Sequence, residues 1–317
     1  MAPLVSVVMP TFNRLEFLPA AVESLFAQTL AHWELIVADD GSGPDTRAYL
    51  ETLQALPQVK VIWLRHSGKP SVVRNAALRA ARGEYVAFLD SDDLWLPQKL
   101  QRQITSLEHH PHRKWSYTAF AVVDAAGNPR LALAGHGRQA ESGWLLEKLL
   151  TGAALIALPS VVVARELLMR VGAFDEELVM CEDDDLWLRL AAHSEIDGIE
   201  EPLTLVRRHA QHSGDDATAW RDRRRVFGKA LRTSTDRQLR TVLRRLRAEM
   251  AAGLARSQAE GARRLAALGT LAASTPYSWR YRLWWAGAAR TLLRAFAPAP
   301  LHAHVVRRRR ARRAPGA

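Results

Sequence analysis

The chain of 317 residues contains one cysteine, Cys181, so it can form no intramolecular disulfide and suits a reducing compartment. It also lacks a long apolar run. The longest stretch without a charge, Leu149 to Ala164, is too short to span a bilayer comfortably and is broken by Pro159. The opening MAPLVSVVMPTFNR has neither a basic start nor the apolar core of a secretory leader, roughly 7–15 residues. Its PTFNR turn has none of the glycine that a triphosphate-cradling loop wants, and no segment of the chain repeats. These absences predict a cytoplasmic protein without a transmembrane helix. With 48% hydrophobic and 24% charged residues the composition is that of an ordinary globular protein, long enough for one large α/β domain or two smaller ones.

Charge is plentiful but unevenly placed. The net value is +11, yet residues 215–317 hold 24 Lys and Arg against 6 Asp and Glu, a net +18, which leaves −7 on the first 214. Such an asymmetry predicts two parts with different partners, 1–213 and 214–317. In the first part, apolar strand-like runs (LVSVVMP, WELIVAD, VKVIWL, EYVAFLD) alternate with helical spacings (RLEFLPAAVESLFAQ, DTRAYLETLQAL, PSVVRNAALRAA). That alternation, with strands apolar on both faces, predicts a mainly parallel sheet covered by helices. Ligands bind such sheets beyond the carboxyl ends of the strands, where PTFN, DDGS, RHSGKP and DSDD all fall. Further on, WSYTAFAVVDAAGNPR reads as a hairpin about Gly127-Asn128, SVVVARELLMRVGAFDE as a strand and a helix, and EDDDLWLRLAAH as a helix with acids at its first turn. After Gly214 the chain turns Arg/Ala/Leu-rich. Leu239, Val242, Leu243, Leu246 and Met250 mark an amphipathic helix, and WRYRLWW and RRRRARR follow.

The motifs VSVVMPTFNR, VADDGS, GKPSVVRNAAL, GEYVAFLDSDDLWLP, GAFDEEL and CEDDDLWLRL resemble, in order and spacing, those of the family-2 inverting glycosyltransferases, which have the GT-A fold. The resemblance covers residues 4–213, and nothing after Gly214 shares in it. It implies a nucleotide-sugar donor, UDP in the first place, a hydroxyl acceptor attacked with inversion, and a divalent cation. A lipid-linked or polysaccharide acceptor in cell-envelope glycan synthesis is the usual client of such families.

The residues carry chemistry that fits. Asp90-Ser91-Asp92 sets hard carboxylate oxygens on a strand-end loop, suited to Mn2+ or Mg2+ holding a diphosphate. By the resemblance Asp92 ligates the metal directly and Asp90 touches the ribose or the metal; Asp93 reads as a cap on the helix begun by LWLPQKL. The simpler account, three carboxylates capping a turn, leaves their mutual repulsion uncompensated. Asp40 resembles the aspartate that accepts a hydrogen bond from the base, while Asp39 orders the turn. Phe12 can stack on the base, with Pro10 and Thr11 shaping the walls. Lys69 matches a basic residue near base and phosphates; for Lys69 and Arg74 the competing reading is plain surface charge, and Asn13 and Arg14 belong to a helix cap. In CEDDDLWLRL the resemblance makes Asp183 the base that takes the acceptor proton, with Glu182 supporting it or contacting the acceptor, and Asp185 as the competitor on the other side of the turn. His209, ahead of His212, resembles a histidine that approaches the metal or diphosphate.

Two other classes compete. A nucleotidyltransferase would use a similar sheet and metal carboxylates. A polyanion binder would act through the basic tail, but no recognised nucleic-acid module accompanies it. The pairing of arginine with aromatics in WRYRLWW instead suggests an amphipathic helix on an anionic membrane surface, which would hold the protein peripherally on the inner face; the competing reading is a helical packing domain with solvated arginines.

Overall fold

A computed structural model describes residues 2–129, 140–208 and 216–296. The chain divides into two compact units, Met1–Ser213 and Gly214–Ala317. Among the described residues the first unit is built on eight strands: β1 (Val5–Thr11), β2 (Trp33–Asp39), β3 (Val59–Trp63), β4 (Tyr85–Phe88), β5 (Leu94–Trp95), β6 (Trp115–Val123), β7 (Val161–Ala164) and β8 (Ile196–Arg207). They form one sheet in the order β3-β2-β1-β4-β7-β6-β8-β5. Strands β1 to β4 pair in parallel, as the strand–helix alternation demands, whereas β7 runs antiparallel to both β4 and β6. The sheet is therefore α/β and parallel in its first half, mixed in its second.

Helices α1 (Leu18–Phe26), α2 (Pro44–Gln54) and α4 (Lys99–His109) cover one face; α3 (Pro70–Leu78), α6 (Arg165–Val171) and α7 (Glu182–Ala191) cover the other, and α5 (Leu146–Thr151) packs on α7. Both faces are buried, which is why the strands read as unbroken apolar runs: Val5, Val7 and Met9 of β1 enter one core and Val8 the other. Proline opens α2 and α3, where its missing N–H has no helical partner to lose. Pro10 lies beyond the last β1–β4 pair, Val8 with Phe88, so it too removes no bond of that ladder.

Two local expectations are corrected. Asp124 does make a turn, its carboxylate accepting from the N–H groups of Ala126 and Asn128, but within the described residues the return is a single bridge between Val123 and Pro129. The strand's extensive partners are β7 and β8. LWLPQKL does not begin a helix at its first residue either. Leu94 and Trp95 pair with Leu205 and Thr204 of β8, and α4 starts only at Lys99.

The second unit is helical: α8 (Asp216–Thr233), α9 (Arg237–Glu260), α10 (Arg264–Ser278) and α11 (Arg282–Phe296). The other three helices pack on α9. Its core is small-residue packing, with Ala248, Ala252, Ala255 and Ala288 around Leu271 and Trp284. Gly287 is required at one crossing, since a Cβ there would stand 2.6 Å from that of Ala252. WRYRLWW is not one amphipathic helix. Trp279 to Tyr281 form the turn between α10 and α11, and Trp284 points into the core, where its Nε1 donates to Ser274 Oγ. Among the described residues no helix is long and apolar enough to cross a membrane.

Candidate active site

The carboxyl ends of β1, β2 and β4 meet the N-termini of α3 and α7. At the end of β2 the backbone turns through Gly41 (φ +82°), where a Cβ would lie 3.0 Å from the His66 nitrogen. That close approach seats the loop after β3 on Asp40. The buried Asp40 carboxylate accepts from Ser67 N (2.8 Å), Ser67 Oγ (2.9 Å) and Gly68 N (2.9 Å), and His66 Nδ1 stands 3.0 Å from it. The His66 ring stacks on half-exposed Phe12, centroids 4.1 Å apart. Asp39 holds the turn by accepting from Ser42 N, and Asn13 (φ +51°) accepts from Gly43 N, tying the loop after β1 to the start of α2 rather than capping α1. Thr11 is buried, and among the described residues its Oγ1 has no hydrogen-bond partner.

The carboxylates after β4 have three different environments. Asp93 is buried, and its carboxylate accepts from Arg207 N (2.7 Å) instead of capping a helix. Burial, then Asp90 and Asp92, push its pKa well above the usual carboxylate range. The Arg207 side chain braces the same turn, donating to Asp92 O (2.8 Å) and Ala125 O with its guanidinium over the Phe17 ring. Asp90 and Asp92 are partly open. Arg14 Nε lies 3.8 Å from the Asp92 carboxylate, a link no helix-cap reading anticipates.

Asp90 is held by Arg74, which is only 6% exposed and not the surface charge that a basic residue on a helix suggests. Its Nη2 donates to Asp90 Oδ1 (2.8 Å) and its Nη1 to Glu182 Oε1 (2.7 Å). Burial works against the guanidinium's charge, but the two carboxylates outweigh it and hold the pKa above its ordinary value. One cation thus joins two acidic clusters that are 92 residues apart in sequence. Arg74's neighbours on α3 grip the segment leading to α7. Asn75 donates to Phe174 O and Glu176 Oε1 and accepts from Phe174 N, Ser71 Oγ donates to Leu178 O, and Lys69 Nζ reaches Glu176 O (3.0 Å).

At the head of α7, Cys181 takes a left-handed conformation (φ +61°), and the four acids of the first turn diverge. Asp185 is buried and paired to Arg189 (2.7 Å), which also donates to Val171 O and Ala173 O. Asp183 is half-buried and accepts from Asp184 N (2.8 Å). Burial first, then the Asp184 and Glu182 charges, raise its pKa to about 7. Of the two candidates for a proton acceptor, Asp185 is already committed to a structural pair. Trp187 and Leu190 face the core.

Asp90 and Asp92 are hard oxygen donors on one turn, the kind of partial set that Mn2+ or Mg2+ accepts when substrate phosphates complete its shell. Among the described residues no group of three or more His, Cys, Asp or Glu is arranged to hold a metal unaided. His209 and His212 lie outside the described residues. Arg207 and the bridging position of Arg74 are absent from the sequence expectations; only the tertiary fold brings them to the acids.

Residues 6–132 match the model of Glycosyl transferase family 2. Over 128 residues the chain is 36% identical to the putative teichuronic acid biosynthesis glycosyltransferase TuaG of Bacillus subtilis, covering 40% of this chain and 50% of that protein. Over 105 residues it is 39% identical to the Escherichia coli UDP-Glc:alpha-D-GlcNAc-diphosphoundecaprenol beta-1,3-glucosyltransferase WfgD, covering 33% and 41%. The chain spans half or less of the length of these curated relatives. In fold it is similar to S. aureus TarS 1-349 in complex with UDP-GlcNAc, with a TM-score of 0.71 and 19% identity over 93% of this chain and 89% of that one. The mannosyltransferase PcManGT of Pyrobaculum calidifontis, in complex with GDP-Man and Mn2+, gives a TM-score of 0.59 at 16% identity over 93% and 85%.

Proposed function

We infer that this chain, a family 2 glycosyltransferase on a GT-A fold, moves a sugar from a nucleoside diphosphate, UDP, to a hydroxyl acceptor with inversion, in the assembly of a cell-envelope glycan. The observation that carries this reading is the Arg74 bridge. It fixes a diphosphate-side carboxylate, Asp90, to the turn that holds a carboxylate titrating near neutrality, Asp183.

The donor's base lies against Phe12, between walls made by Pro10 and Thr11. Asp40 accepts an N–H of the base in exchange for one of the loop donors it now holds, and Lys69 stands near the base and phosphates. Asp92, with Asp90, holds a divalent cation, Mn2+ or Mg2+, which when bound neutralises charge on the departing diphosphate. Arg74 keeps Asp90 in place. Asp183 takes the acceptor hydroxyl's proton as that oxygen forms its bond to the anomeric carbon. The bond from that carbon to the phosphate oxygen breaks on the opposite side, and its electron pair leaves with the nucleoside diphosphate. A pKa of about 7 suits this task, because roughly half of such a base is free at neutral pH and it still binds a proton appreciably.

The name of TuaG specifies teichuronic acid biosynthesis, and that of WfgD a diphosphoundecaprenol-linked acceptor. That supports a lipid-linked acceptor for this chain, with the protein cytoplasmic and peripheral to the membrane. The test is thermal stabilisation of the full chain by a panel of sugar nucleotides, with and without Mn2+. Stabilisation by UDP-sugars that grows with Mn2+ is the expected result; stabilisation by none of the panel would overturn the donor assignment.

A further inference from the structure

We propose that the outward face of α11 is a docking surface for an anionic phospholipid bilayer. The helix has two apolar sides. Trp284, Gly287, Ala288, Thr291 and Ala295 are buried, as in any packed helix. The other side is exposed, and it carries Trp285 (54% exposed), Leu292 (43%), Leu293 (66%) and Phe296 (60%). Trp285, Leu292 and Phe296 are spaced by seven and four, so they fall on one stripe beside Ala289 and Leu293. At the head of the helix, half-exposed Trp279 joins the stripe. The Nε1 of Trp285 donates to Trp279 O (2.8 Å), and the Arg280 guanidinium lies over the Trp279 ring at 5.0 Å.

Charge selects the occupant. Exposed Arg282 and Arg290 flank the stripe. From Gly261 to Ala317 the sequence holds twelve arginines and not one aspartate or glutamate. A second copy of the chain would set arginine against arginine, and a polyanion would have no use for exposed leucine and phenylalanine. An anionic bilayer meets both features. Its phosphates pair with the arginines, the apolar stripe sinks to the acyl boundary, and tryptophan occupies the headgroup level. The inference rests on the transferase reading only for its purpose, which is to keep the enzyme at the surface where a lipid-linked acceptor resides.

The full chain is sedimented with vesicles of phosphatidylcholine alone or mixed with phosphatidylglycerol, at low and rising salt. Binding to the mixed vesicles alone, released by salt, is expected. The double variant Leu293→Glu/Phe296→Glu changes two outward side chains and should partition about a hundredfold less. Arg282→Gln/Arg290→Gln should lose about tenfold. Equal binding by the Glu variant would overturn the proposal, since attachment would then owe nothing to this face. Failure of the wild-type chain to bind mixed vesicles would also overturn it, as would a dimer in free solution that the Glu variant converts to a monomer. Sugar-nucleotide stabilisation is recorded on the same samples and should be unchanged in both variants. Vesicle binding without any nucleotide response would sink the transferase reading and leave the docking surface standing.

Discussion

The two units solve the problem of charge in opposite ways. The α/β unit brings charge inward. Arg74, Asp93, Asp185 and Arg207 are all buried; Arg74, Asp93 and Arg207 are paired or hydrogen-bonded across the top of the sheet, and Asp185 is paired within α7. The helical unit carries the larger net charge and buries Asp222 beside Arg221 and Arg225, but its core clusters are alanine, leucine and tryptophan, and its described arginines lie outside them. Burying an ion costs several kcal/mol unless its partners are in place. A fold that tolerates this repeatedly at one end of one sheet gains a crevice with fixed charges. A unit that does so only at Asp222, among its described residues, keeps most of its charge for the exterior. On the proposed reading the contrast separates chemistry from attachment, and substitutions can test each side of it.

The largest effect should come from Asp92→Ala. Turnover is expected to fall roughly a thousandfold, with loss of Mn2+-dependent UDP binding. Thermal stability of the metal-free protein should not drop, because one of three crowded carboxylates is gone. A variant that binds UDP and Mn2+ normally would remove Asp92 from the metal site. Next comes Asp183→Asn, which keeps size but cannot take a proton; kcat should fall on the order of a hundredfold with UDP affinity unchanged. In the wild type, activity should rise with pH through about 7, and the Asn variant should lose that rise. The linkage to stability runs the other way. Asp183 binds its proton more tightly folded than unfolded, so its contribution declines as pH climbs from the unfolded carboxylate value near 3.8 to about 7. The Asn variant should therefore gain on the order of 1 kcal/mol relative to wild type between acid and pH 8, after allowance for its partial exposure. Should Asp185→Asn abolish turnover while Asp183→Asn does not, the base is misassigned.

Two substitutions probe the buried cations. Arg74→Met leaves Asp90 and Glu182 facing each other without their shared partner, and chemical denaturation should register a loss of about 2–4 kcal/mol along with turnover. Lys99 is the opposite case. It is fully buried over the Trp95 ring (4.0 Å), and among the described residues its Nζ has no hydrogen-bond partner. Burial pulls its pKa well below the usual lysine value, so the unfolded chain gains a proton that the folded one refuses as pH falls below that value. Lys99→Met should stabilise the protein by about 1–2 kcal/mol at pH 7 and by less at pH 10. Destabilisation at pH 7 would mean that the ammonium has a partner after all.

The smallest effects lie in the helical unit. Gly269 in α10 has nothing within 4 Å of an added Cβ, so Gly269→Ala should add somewhat under 1 kcal/mol. Gly287→Ala, pressed on Ala252, should lower the unfolding temperature of that unit despite its better helix propensity. Neither should touch sugar-nucleotide binding. If Gly287→Ala weakens it, the two units are not independent in their chemistry.

Much of the first unit was legible in its sequence because strand and helix periods are local properties. The four leading strands and the helix at EDDDLWLRL fall where the apolar pattern puts them. The reading of Asp93, by contrast, fails. The partner of its carboxylate is the N–H of Arg207, at the far end of a strand 114 residues on, and no local pattern carries that pairing. Arg74 was unreadable for the same reason: a basic residue at mid-helix looks like a solvated face until Glu182 is seen beside it. Asp40 shows a subtler limit, since DDGS marks a turn but gives no sign that Ser67 and Gly68 already occupy the carboxylate. In WRYRLWW the aromatics sit too close together for spacing to say which turns inward, and it was Trp284 that did.

Helix α3 holds Asp90, the proposed donor-side carboxylate, through Arg74, and the approach to Asp183, the proposed proton acceptor, through Ser71, Arg74 and Asn75. Both halves of the proposed reaction are thus measured from a single rod. When that rod shifts with thermal motion, the leaving group's mount and the base's mount travel together, so the displacement is common to both and cancels from the distance between them. An in-line attack depends on that difference rather than on either absolute position.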